Sequence, residues 1–192
     1  MRIYAIFAHP KKDSLNGRIF YDTVNHLRQQ GATVDVLDLY DYVADMPFYA
    51  PKNHETLQDI KQHAFFHDNK ERFMAADRLF IVYPIYWFAV PGVLKCWLDS
   101  ITNYAWQFNK GPYALPLHSI KKALVVNSAS MSNWFRWLRT RNSGTEMVKE
   151  SLKFLGIRHY TFYEIGNTPS LTPAKINKHI AKICKKADWL IK

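Results

Sequence analysis

The chain has 192 residues, a length suited to one compact domain. With 48% hydrophobic and 22% charged residues it has the apolar content for a sizeable core, which excludes a disordered chain. Its net charge of +10 is spread along the chain apart from Arg136, Arg139, Arg141 and the lysines near the C-terminus, and no nucleic-acid motif accompanies it, so the charge points to solubility and attraction of anionic small ligands.

Arg2 to Phe7 reads as a first strand ending at Ala8-His9-Pro10. Leu15 to Gln30 follows as a helix, with apolar residues at Leu15, Ile19, Phe20, Val24 and Leu27 and a stop at Gly31. Thr33 to Leu37 is a second strand. A polar stretch from Asp41 to Asn53 leads into a partly helical region, Glu55 to Ala76. Arg78 to Tyr83 is a third strand, a continuous apolar run of the kind covered on both faces. Pro91 to Ile101 is a helix with proline in its first turn. Ala123 to Val126 is a fourth strand, Gly144 to Leu155 a helix closed by Gly156, and His159 to Ile165 a fifth strand. Thr172-Pro173 caps a last helix running to about Ile191.

Strands alternating with helices imply a parallel sheet with helices on both faces. The expected fold is therefore α/β, a flavodoxin-like three-layer sandwich with a five-stranded parallel sheet in the order 2-1-3-4-5, formed by a single domain over residues 1–192. The longest apolar stretch, around Leu79 to Leu94, contains Pro84 and Pro91 and does not make a membrane span. The N-terminus lacks the pattern of a signal peptide, so a cytoplasmic location is expected. Cys96 and Cys184 are expected as buried free thiols, and no metal-ligand spacing such as CxxC or HExxH occurs.

In such a sheet a ligand lies beyond the carboxyl ends of the strands, so the loops after strands 1, 3 and 4 matter most. The first is His9-Pro10-Lys11-Lys12-Asp13-Ser14-Leu15-Asn16. Ser14 can cap the following helix, whose free N–H groups and dipole attract phosphate, with Asn16 and His9 as further donors. Neither a Walker lysine nor GxGxxG is present. The second loop, Tyr83-Pro84-Ile85-Tyr86-Trp87-Phe88-Ala89-Val90-Pro91-Gly92, holds adjacent aromatics that cannot all enter the core and suit a planar apolar ring.

On these residues the chain resembles the NAD(P)H:quinone oxidoreductases of DT-diaphorase type, a family that also holds ancillary subunits of potassium-efflux systems. The matching features are His9-Pro10 with Ser14-x-Asn16, the run Tyr83-Pro84-x-Tyr86-Trp87-Phe88-x-Val90-Pro91 through Leu94-Lys95, Trp97 and Asp99, Lys110-Gly111-Pro112, and Ile165-Gly166-Asn167-Thr168-Pro169. The resemblance implies a homodimer binding FAD or FMN, with the phosphates over His9, Ser14, Leu15 and Asn16 and the flavin ring against Pro84, Ile85, Tyr86, Trp87 and Phe88. It further implies a flavin-dependent enzyme that oxidises NAD(P)H and reduces quinones or similar small acceptors by two-electron, ping-pong hydride transfer. The third loop departs from the family. Asn127-Ser128-Ala129-Ser130-Met131 replaces the usual Thr-Thr-Gly-Gly, with Ser130 and Met131 where the glycines stand. Asn127, Ser128, Ala129 and Ser130 remain expected cofactor contacts, through small size or hydrogen bonding. No side chain is assigned as a catalytic acid or base, because hydride transfer to a flavin does not require one. The stretch from Trp134 to Arg141 is expected as a lid or dimer contact, with Arg136 and Arg139 on a solvated face or attracting nucleotide phosphates. His54, His63 and His67 are expected at the surface, and Trp97 in the core or a dimer interface. Two other readings stay open, a flavin-binding regulatory subunit of a transporter and a flavin-free binding module. The second would hold if Ser130-Met131 closed the pocket, and the redox assignment fails if Trp87 and Phe88 fill the cleft themselves.

Overall fold

Short β-branched and aromatic runs build the main sheet in the computed structural model, which describes residues 1–46, 48, 50, 52, 58–59, 61–102, 105–108 and 114–192. Strand β1 (Arg2–Phe7) lies between β2 (Thr33–Asp38) and β3 (Arg78–Pro84). A small antiparallel pair follows, β4 (Trp106–Phe108) with β5 (Ala114–Pro116). Strands β6 (Lys122–Ser128) and β7 (His159–Ile165) complete the sheet, whose order is β2-β1-β3-β6-β7. All its pairings are parallel, with Ile6 opposite Leu37 and Ile81, and Val125 opposite Ile81 and Phe162. Counted without the small pair, this is the expected 2-1-3-4-5 arrangement, and the fold is flavodoxin-like.

The α-helices that frame the sheet are α1 (Leu15–Gln29), α2 (Ala64–Met74), α3 (Gly92–Thr102), α4 (Asn133–Thr140), α5 (Ser143–Phe154) and α6 (Pro173–Ile191). The pleat sends alternate strand residues to opposite faces. Tyr4, Ile6, Leu79, Ile81, Ala123 and Val125 meet α2, α3 and α5, while Ile3, Ala5, Phe7, Phe80, Val82, Leu124 and Val126 meet α1 and α6. On α3, Leu94, Trp97, Leu98 and Ile101 are buried at i, i+3, i+4, i+7 spacing, so Trp97 belongs to the core. Its Nε1 donates to Asn69 Oδ1 at 3.2 Å, and the Tyr4 hydroxyl donates to the same oxygen at 2.6 Å. This satisfies polar atoms that burial would otherwise penalise.

Some expectations change. Helix α2 occupies only part of the region from Glu55 to Ala76, and His54 lies outside the described residues, as do Lys110, Gly111 and Pro112. His63 is more than a surface residue: it is half-buried and caps α2, its Nδ1 accepting from Phe65 N–H at 3.3 Å. His67 is exposed. The pair β4–β5 was not expected, because strands of three residues are too short for a period-2 pattern. Neither Cys96 nor Cys184 forms a disulfide, and both are half-buried rather than buried. Among the described residues no helix is long and apolar enough to cross a membrane.

Candidate functional site

The loop between β1 and α1 turns on a tight approach. An added Cβ on Gly17 would sit 1.8 Å from the Lys12 carbonyl oxygen, so only glycine lets the loop fold back over the first turn of α1. Ser14 caps that helix: its Oγ accepts from Gly17 N–H at 3.1 Å and donates to the Lys11 carbonyl at 2.7 Å. His9 Nδ1 lies 3.0 Å from the Lys11 amide nitrogen, the Lys11 carbonyl oxygen and Ser14 Oγ. Burial lowers the pKa of His9 below its ordinary value, the hydrogen bond to Lys11 partly opposing, so the ring is neutral at neutral pH. The result is a neutral N–H donor beside a helix N-terminus, a pairing suited to an anion.

The loop after β3 is a two-residue hairpin. Tyr86 and Ala89 exchange N–H···O bonds of 2.9 Å, and Trp87 and Phe88 between them hold φ of 50° and 65°. Turns of this kind normally use Asn-Gly or Gly-Gly, because bulky residues there are strained. Two contacts hold the turn. Ser143 Oγ donates to the Phe88 carbonyl at 2.6 Å, and Gly144 packs where a Cβ would lie 2.9 Å from Ile85 Cδ1. Trp87 does not fill the cleft: it is 93% exposed.

The loop after β6 is tied on both sides. Ile85 N–H donates to the Ser128 carbonyl at 2.7 Å, Ala129 N–H to Ile165 O at 2.8 Å, and Thr168 N–H to Ala129 O at 3.1 Å. Ser130 and Met131 are not among the residues of positive φ, so the backbone here takes a path that does not demand the family's glycines. Ser128 Oγ donates to Asn16 Oδ1 at 3.0 Å, linking this loop to the first.

The three loops enclose a cavity of about 320 Å³ lined by His9, Ser14, Leu15, Asn16, Pro84, Ile85, Tyr86, Ser128, Ala129, Ser130 and Thr168. A second cavity of about 370 Å³, lined by Ile85, Tyr86, Trp87, Phe88, Ser130 and Met131, shares Ile85, Tyr86 and Ser130 with it. Both lie in the size range of small-molecule sites, roughly 300–1,000 Å³. Of the expected contacts Asn127 stands apart. It is buried behind the loop, its Nδ2 donating to Thr145 Oγ1 at 3.1 Å and its Oδ1 accepting from Arg136 Nη1 at 3.4 Å. Thr168 was not anticipated as a lining residue. The turn Gly166-Asn167-Thr168-Pro169 at the carboxyl end of β7, with Asn167 at φ 54°, was the available signal for Thr168. A larger cavity of about 870 Å³ lies near Tyr42, Met46, His63 and Phe65, and none of the expected contacts lines it.

Behind the β6 loop sits a buried polar network. Arg136 is 2% exposed; its Nη2 donates to Glu164 Oε2 at 3.2 Å and to Asn133 Oδ1 at 2.8 Å. Thr145 Oγ1 donates to Glu164 Oε1 at 2.6 Å. Arg136 is therefore neither on a solvated face nor available to nucleotide phosphates, a correction to the expectation. Its helix turns inward because the guanidinium finds Glu164 there. Arg139 is exposed.

A family described by its flavodoxin-like fold matches residues 1–187. The human ribosyldihydronicotinamide dehydrogenase [quinone] is 27% identical over 124 residues, covering 56% of this chain and 54% of that protein. The chain thus spans about half the length of the first curated relatives it matches. The FMN-dependent NADH:quinone oxidoreductase 1 of Bradyrhizobium diazoefficiens is 27% identical over 169 residues, covering 82% of this chain and 81% of its own. Among solved structures, an NAD(P)H:quinone oxidoreductase of Methanothermobacter marburgensis superposes with a TM-score of 0.79 at 24% identity, over 100% of this chain and 98% of that one.

Proposed function

Because the chain belongs to the flavodoxin-like fold family, we propose that it is a flavin-dependent NAD(P)H oxidoreductase that reduces quinones or similar small acceptors. One observation carries the reading. The cleft bounded by the loops after β1, β3 and β6 has an anion-binding helix end on one side and an aromatic turn on the other, and Trp87 leaves it open.

The residues fit a flavin mononucleotide. His9 and the Leu15 and Asn16 amides at the start of α1 would hold its phosphate, since the first amides of a helix have no partner within it and Gly17 N–H is taken by Ser14. Gly17 supports the same fit, because a Cβ there would push the Lys12 carbonyl away and open the cradle. Pro84, Ile85, Tyr86 and Phe88 would flank the ring, and the Ser130 and Met131 amides would bond its polar edge and stabilise negative charge developing there. FMN is favoured over FAD because the Bradyrhizobium relative is FMN-dependent. When bound, the flavin supplies two-electron hydride chemistry that no side chain provides. The protein contributes binding, orientation and water exclusion. Burial pushes the Tyr86 hydroxyl above its ordinary pKa, so it stays protonated beside both cavities and can donate a hydrogen bond to a substrate oxygen.

The second cavity has room for one planar substrate at a time, which favours alternating occupancy by nicotinamide and acceptor and hence ping-pong kinetics. The homodimer implied by the resemblance and a cytoplasmic location, in keeping with two cysteines that form no disulfide, belong to the same proposal. FMN-loaded protein should consume NADH or NADPH when menadione is supplied, with parallel double-reciprocal plots as menadione is varied. No turnover by a folded, FMN-loaded protein would leave a binding role in its place.

A further inference from the structure

A surface helix usually turns its apolar stripe to the core and its charges to water. Helix α4 is built the other way round. Its buried residue is Arg136, whereas Trp134, Phe135, Trp137 and Leu138 are 67%, 38%, 49% and 54% exposed. Trp134, Trp137 and Leu138 share one stripe by i, i+3, i+4 spacing. Just past the helix end, the Arg141 guanidinium lies 4.4 Å above the Trp137 ring. Arg139 and Arg141 are both exposed, and no acidic residue occurs from Ser132 to Asn142. The surface leads towards the mouth of the candidate site, since Ser143, at the start of the next helix, holds the turn that carries the exposed Trp87.

We propose that this face lies on an anionic lipid surface, with the indoles at headgroup level and Arg139 and Arg141 against lipid phosphates. Aromatic and leucine side chains interleaved with arginine, without acids, are the composition of helices that rest in the interface plane. Indole suits that depth because it has an apolar body and a polar N–H. Charge favours a lipid surface: Arg139 and Arg141 are exposed beside the indoles, no acid lies among residues 132–142 of a chain at +10, and anionic headgroups neutralise them. A quinone dissolved in the bilayer would then reach the cavity without crossing water. That last consequence rests on the function proposed above; the lipid contact does not.

The test floats the full-length protein with vesicles of phosphatidylcholine, with and without phosphatidylglycerol. Binding is expected only to the anionic vesicles, to fall with salt, and to weaken about tenfold or more in W134S/W137S/L138S. Menadione turnover in solution should be unchanged in that variant, while turnover of a long-tailed quinone in vesicles falls. The proposal is overturned if the native protein does not float with anionic vesicles, if the variant floats equally well, or if the variant turns a dimer into a monomer in sedimentation velocity. Flotation needs no flavin and no turnover, so it reads the surface even if quinone reduction is absent. Intact menadione turnover without flotation would defeat this inference alone.

Discussion

Trp87 and Phe88 sit in the left-handed region, at φ 50° and 65°, where a side chain costs roughly 1–2 kcal/mol per residue. Trp87 recovers little of that by burial, being 93% exposed. The strain accompanies a turn that is held against α5 and leaves the Trp87 indole exposed at the edge of the second cavity. Replacing Trp87 with glycine removes the strain and adds the unfolded-state entropy of glycine, about 0.4–1 kcal/mol. The first effect is the larger, so Trp87→Gly should raise the melting temperature by a few degrees at most while raising KM for the acceptor. Thermal melts and steady-state kinetics check both halves. A variant that melts lower than the native protein would show that the turn is not strained.

Helix α4 and the β6 loop depend on the Arg136–Glu164 pair. Removing one partner of a buried pair leaves an uncompensated charge and costs roughly 3–5 kcal/mol, while replacing both is often close to neutral. Glu164→Gln should therefore destabilise the protein strongly, and Arg136→Met in the same chain should restore much of the loss; urea titration of the two variants decides. Two additive losses would mean that the residues do not act as a pair. This network was illegible in the sequence. An arginine inside a run of Trp, Phe and Leu reads as the exposed member of an amphipathic helix, and its partner Glu164 lies 28 residues away on β7. The elements themselves were legible, because β1, β3 and β6 are continuous apolar runs and because Ser14, Gly31 and Thr172 mark helix ends. The lining residues of the cleft were legible for a topological reason: parallel strands deliver their carboxyl-end loops to one edge. Asn127 was misjudged by one residue of pleat, since a strand's last positions alternate between the cleft and the interior.

At the scale of the whole molecule, three histidines shape the acid response. His9, His118 and His179 all have pKa values lowered by burial below the ordinary 6.5. His118 is held by its own contacts, with Nε2 at 2.8 Å from the Leu155 carbonyl and Ile120 N–H donating to Nδ1. Below about pH 6.5 the unfolded chain takes up protons that the folded one does not, so the stability these sites contribute is full above that pH and is lost as the pH falls. Buried Asp38, whose carboxyl burial pushes upward, has the opposite sign: its contribution is present below 3.8 and fades as the pH rises. Denaturant midpoints should accordingly drop between about pH 7 and pH 5. Midpoints that hold level or rise over that window would contradict the histidine environments described.

The most direct test of the central claim is equilibrium binding of FMN to flavin-stripped protein, followed by quenching of flavin fluorescence, for the native chain and for Gly17→Ala. The account predicts one FMN bound per chain by the native protein. It also predicts at least about tenfold weaker binding by the variant, whose new methyl would displace the Lys12 carbonyl and spoil the anion cradle by overpacking. A folded native protein that takes up no flavin, or a Gly17→Ala variant that binds FMN as tightly as the native chain, would contradict it.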